Sequence, residues 1–86
     1  MARIVDLDAH ELHVRFSGRA ALRARRRRIR VPRTAIRSVS TRPFDPAKRV
    51  GGRRYFLSYD DPAKTITVEV DRGATRYPYD VLVLGL

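Results

Sequence analysis

The chain has no cysteine, which excludes disulfides and thiolate metal sites. Acidic residues are scarce: nine stand against nineteen basic ones, for a net charge of +10 and a sequence pI near 11.4. Lysine is scarcer still, with only Lys48 and Lys64 beside seventeen arginines. No apolar run approaches the roughly 18 residues of a membrane span. The opening MARIVDLDAHEL also lacks an apolar stretch of signal-peptide length, so an unexported, cytoplasmic protein is expected.

Reactive groups are thinly spread. His10 and His13 stand near Asp6, Asp8 and Glu11. A hairpin would point His13 outward and leave His10 in the turn, so no third ligand converges and no metal site is expected. Ser17, Ser38, Ser40 and Ser58 lack a nucleophile-elbow context. Gly51-Gly52 lacks the Lys-Ser or Lys-Thr of a phosphate loop. Neither enzyme chemistry nor a cofactor is expected.

What the chain does have is arginine, concentrated in residues 20–40, AALRARRRRIRVPRTAIRSVS. Arg25, Arg26, Arg27 and Arg28 are consecutive, and Arg30, Arg33 and Arg37 follow. Ile29, Val31, Ile36 and Val39 are threaded between them, so the stretch is at once a core element and a basic surface. In a strand, residues two apart share a face at about 6.6 Å, which makes a stripe of Arg28 and Arg30 with Arg26 leading in. Arg42, Arg53 and Arg54 extend it where their strands are neighbours. Guanidinium forks match phosphate oxygens bidentately, so a polyanion is one expected partner, with nucleic acid ahead of anionic lipid. Two blander origins suit the same residues: a solvated face that keeps a small β-protein soluble, and GC-rich coding, which favours arginine.

The 86 residues suffice for one domain, 1–86, with a modest core. Period-2 alternation marks strands over Ala2–Asp6, Glu11–Phe16, Arg28–Val31, Arg37–Arg42, Arg53–Tyr59, Thr65–Asp71 and Tyr77–Leu86. Asp8-Ala9-His10 turns the first pair into a hairpin. Ser17 can cap one short helix over Gly18–Arg26, and Thr34 a single turn that tucks Ile36 inward. In the sixth strand Ile66, Val68 and Val70 are expected inside, with Thr65, Thr67, Glu69 and Asp71 outside. Tyr55, Phe56, Tyr59, Tyr77 and Tyr79 are expected in the core rather than as a base-stacking platform. About seven short strands at this spacing predict a mostly-β fold, a small antiparallel barrel, roll or sandwich with one short helix after the N-terminal hairpin.

The order of pieces resembles the small pleckstrin-homology-like domains of high-GC bacteria. The resemblance rests on residues 29–39 (IRVPRTAIRSV), 61–70 (DPAKTITVEV) and 79–83 (YDVLV). It implies a barrel ending in three meandering strands, and binding rather than catalysis. It also implies a C-terminal helix plugging the barrel, and the sequence reaches Leu86 without one. Val81–Leu84 is apolar on both faces, which implies burial on both sides or a partner on one. With Val81 and Val83 inside, Leu82, Leu84 and Leu86 form an outward apolar strip, covered either by a partner or locally by the short helix over Ser17–Arg26. A protein partner or self-association through that strand is the leading expectation, and polyanion binding through the arginines is the alternative.

Overall fold

In the computed structural model, which describes residues 3–19, 27–48 and 51–85, seven strands form two sheets. Strands β1 (Arg3–Leu7), β2 (Glu11–Phe16) and β3 (Arg28–Pro32) make an antiparallel meander. Strands β4 (Ile36–Ser40), β5 (Tyr55–Ser58), β6 (Thr65–Val70) and β7 (Val81–Gly85) make the second sheet, in the order β4-β6-β7-β5. Among the described residues no ladder joins the two sheets into a closed barrel. No described helix is long and apolar enough to cross a membrane. Most of the expected Gly18–Arg26 helix lies outside the described residues.

Alternation decides the first sheet. Leu12, Val14 and Phe16 of β2 and Ile29 and Val31 of β3 point to one side and are buried, while Glu11, His13, Arg15, Arg28 and Arg30 take the other side. The buried set meets Ala35, Phe56, Val68, Val70, Leu82 and Leu84 in one apolar cluster. Burying a side chain of this size contributes about 1.5–3 kcal/mol. The core is therefore the contact between the sheets, and the polar face of β1–β3 is left outside it.

Turns are fixed by aspartates. Asp8, Asp45, Asp61 and Asp71 each accept a backbone N–H two residues on, at 2.7, 2.9, 2.9 and 3.0 Å. This is the side-chain mimicry of a turn that favours Asp there. Asp8 also accepts the Glu11 N–H at 2.8 Å, and these two backbone donors hold its carboxyl below the usual range. The Gly51-Gly52 turn forms as expected, with Gly52 at φ +84°.

The second sheet departs from expectation. The last three strands do not meander: β7 inserts between β6 and β5 and runs parallel to β5. Its sequence VLVLG explains the placement, because a strand apolar on both faces is most stable at the centre of a sheet covered on both sides, and all five residues are buried. The strand also starts later than expected. Pro78 has no N–H to give, and the Thr75 hydroxyl binds both the N–H and the C=O of Tyr77. Leu82 and Leu84, expected on an outward strip, are 1% and 0% exposed. They face the core, and Val81 and Val83 lie on the opposite side, buried as well.

Three smaller corrections follow from edges and turns. Val39, expected in the core, is 41% exposed because β4 is an edge strand. Thr65, expected outside, is fully buried and donates its hydroxyl to the Pro62 C=O. Thr34 does not cap the turn at Arg33–Ala35: no side chain caps it, and Ala35 rather than Ile36 is the fully buried residue.

Candidate anion-binding face

The charge excess has a single source in the chain. Residues 12–44 hold eleven arginines and no acid, whereas outside them eight basic residues meet nine acids. The acids are largely committed to structure. Besides the four turn aspartates, Glu11, Asp60, Glu69 and Asp80 pair with Arg30, Arg3, Arg53 and Arg72. Asp80 also accepts the Arg54 N–H.

Register then decides which arginines lie together. The Phe16 N–H donates to the Arg27 C=O at 2.8 Å, which makes Phe16 and Arg27 a hydrogen-bonded pair. Bonded and non-bonded pairs alternate along an antiparallel ladder, so the next pair, Arg15 opposite Arg28, is non-bonded. Such pairs are the close ones, with Cα atoms about 4.5 Å apart. Both residues are exposed on the polar face, and neither makes an ion pair among the described residues. The next row holds Asp6, His13 and Arg30. Arg30 turns along the strand to Glu11, donating Nη2–H to Oε1 at 2.8 Å and Nε–H to both oxygens at 3.2 Å. This bond lowers the Glu11 carboxyl and raises the Arg30 guanidinium from their ordinary values. Among the described residues His13 Nε2 is buried without a hydrogen-bond partner.

A groove of about 550 Å³ runs along the outer edge of β3, between Arg28 and Arg30 on one side and Arg76 and Tyr77 on the other. The edge itself is blunted. Arg30 gives its outward N–H to the Tyr77 hydroxyl at 3.1 Å, and Pro32 offers none. The groove therefore presents guanidinium groups rather than a free ladder for another strand.

The structure splits the arginines that the sequence grouped. Arg27, Arg28 and Arg30 share this end of the first sheet. Arg33 donates to the Asp8 C=O at 2.8 Å, and Arg37 stands 3.9 Å from Asp71. Arg42 lines a separate groove of about 390 Å³ with Ser38, Phe44 and Lys48. Arg53 pairs with Glu69 at 2.8 Å, and that carboxyl is held low first by the Ser38 hydroxyl and then by Arg53. The Arg54 guanidinium makes no ion pair among the described residues. Arg25, Arg26 and Leu86 lie outside the described residues.

Two members of the face escaped sequence reasoning. Arg15 carried a signal, the polar phase of β2, but its meaning depends on a register that no local pattern fixes. Arg76 carried none, because it lies in a loop that only the fold brings to β3. The aromatic rings are engaged with one another: Phe16 with Phe56, Phe56 with Tyr79, and Phe44 with Tyr55 and Tyr59, at centroid distances of 5.1–6.3 Å. Among the described residues no group of three His, Asp or Glu side chains converges as a metal site would require.

No family model matches the chain, and no curated protein or solved structure matches it either. The chemistry of the face rests on its own residues.

Proposed function

We propose that the protein is a non-enzymatic binding module whose first sheet takes an anionic partner on its polar face, the phosphate groups of nucleic acid foremost. The observation that carries this reading is the facing pair Arg15 and Arg28 beside a groove lined by Arg30 and Arg76. Like charges directly opposite on a ladder destabilise the sheet. A bound anion removes that repulsion and gains charge-assisted hydrogen bonds from both guanidinium groups. By contrast Arg3, Arg30, Arg37, Arg53 and Arg72 are each matched by a carboxylate. Self-association through the C-terminal strand has less support, because Leu82 and Leu84 are buried in the core.

Fluorescence anisotropy with a random-sequence DNA duplex tests the reading. With about four phosphate contacts, affinity falls roughly 100-fold between 50 and 200 mM salt. The double variant Arg15→Glu/Arg28→Glu is expected to abolish binding, whereas Arg53→Gln, which alters an arginine already paired in the second sheet, leaves it nearly unchanged. No binding at the lower salt, or equal loss in both variants, overturns the assignment.

A further inference from the structure

Resting on the nucleic-acid reading above, we propose that this face recognises a strand end carrying a terminal phosphate, rather than the continuous backbone of a duplex. Three observations point this way.

The first is charge. A phosphodiester carries a single negative charge, whereas a terminal phosphate monoester carries about −1.5 to −2 at neutral pH. Arg15 and Arg28 are held within one cross-strand spacing of each other. Two arginines facing each other at that spacing can both reach one phosphate, and a dianion neutralises both.

The second is what lies further along the strands. A run of phosphates tracking β3 towards Pro32 passes Glu11, whose carboxylate lines the same groove. Glu11 neutralises Arg30 and leaves that direction without net attraction. Among the described residues that line the groove, the unpaired cations are thus few: Arg28, with Arg15 facing it, and Arg76 across the groove.

The third is the other end of the same row. Ile4 is the register partner of Arg15 on β1 and is 50% exposed. The row therefore runs apolar, cationic, cationic across the three strands. A blunt duplex end offers the complementary surface: an unstacked, apolar face of the last base pair beside its terminal phosphate. Of the aromatic rings that would bind a long single strand by serial stacking, Phe16, Phe44, Phe56, Tyr59 and Tyr79 are packed against each other instead, which leaves Tyr77 as the one aromatic ring lining the groove among the described residues.

The test compares one short DNA duplex in two forms, with 5′-phosphate and with 5′-hydroxyl ends, in the same anisotropy assay. The 5′-phosphate form is expected to bind about tenfold tighter, the equivalent of one charge-assisted hydrogen bond at the low end of its range. Arg15→Gln and Arg28→Gln are each expected to erase the difference, and Ile4→Ser to weaken both forms severalfold. Equal affinity for the two forms overturns end recognition while leaving the polyanion reading intact. No binding of either form overturns both. A phosphoserine peptide that competes as well as the 5′-phosphate duplex overturns the nucleic acid as the source of the phosphate.

Discussion

The facing arginines of the first sheet and the paired arginines of the second are held in opposite ways. In the second sheet and its turns, Arg53 meets Glu69 at 2.8 Å, Arg72 meets Asp80 at 3.8 Å and Arg37 meets Asp71 at 3.9 Å. Each of these three cations has a carboxylate within reach. In the first sheet Arg3 meets Asp60 at 3.5 Å and Glu11 takes Arg30, but Arg15 and Arg28 are left facing each other. The covering of the faces differs too. Strand β7 is buried on both sides, whereas the polar face of β1–β3 is open to solvent along β3. A count of basic residues does not distinguish these situations. The same side chain is a structural tie where register supplies an acid, and an available ligand where register supplies its like.

The largest effect is expected in the core of the second sheet. Leu82 is 1% exposed at the centre of the second sheet. Leu82→Ala is expected to cost about 2–5 kcal/mol, the lost transfer energy plus that of the cavity left behind. Val39→Ala, on exposed edge strand β4, is expected to cost less than about 1 kcal/mol. Urea denaturation reads both. A cost below about 1 kcal/mol at Leu82 would mean that β7 is not a central strand and that its leucines are free for a partner.

The first sheet was almost fully legible in the sequence, and the second was not. In β2 and β3 one face is buried and one is wet, so Leu12, Val14, Phe16, Ile29 and Val31 declare themselves by alternation. In β7 every residue is buried, so alternation has nothing to report. Whether Val81 or Leu82 faces the core depends on which strands flank it. That is a non-local fact, as is the parallel pairing of β5 with β7. The site divides along the same line. The run from Arg25 to Arg33 was visible as composition, but the pair that matters joins Arg28 to Arg15, thirteen positions away and brought opposite it by a ladder register. Arg76 enters only through the loop before β7.

Acid weakens these ties, because the carboxylates that hold arginines and turns must ionise to do so. Glu69 is held low by the Ser38 hydroxyl and Arg53, Glu11 by Arg30, and Asp8 by the backbone N–H groups of Glu11 and His10. A folded-state pKa below the unfolded one adds stability that is present above the unfolded value, about 4 for Asp and Glu, and is lost as pH falls through the folded one. The melting temperature is expected to be flat across neutral pH and to fall below about pH 4.5. Glu69→Gln should shrink that fall and lower neutral-pH stability by no more than about 1 kcal/mol, because both partners are partly exposed. An unchanged acid profile in Glu69→Gln would remove the second sheet's ion pair from the account.

The smallest expected effect is the most discriminating, because it has opposite signs for folding and for binding. Arg15→Glu turns a like-charge cross-strand pair with Arg28 into an opposite-charge one, a change that favours the sheet by about 0.2–1 kcal/mol. In a chain of this size that amounts to a rise in Tm of a few degrees. The same substitution removes one of the two guanidinium groups that meet the anion and sets a carboxylate in its place, so duplex binding is expected to disappear. A variant that is more stable and no longer binds identifies the pair as a strain kept for a ligand. If stability falls along with binding, Arg15 is structural after all. If stability rises and binding persists, the anion sits elsewhere on the arginine-rich segment. Salt separates the pair from general surface charge. Adding it screens the repulsion between exposed arginines, so the stability gained by Arg15→Glu should shrink as ionic strength rises, and a gain indifferent to salt would trace to packing instead.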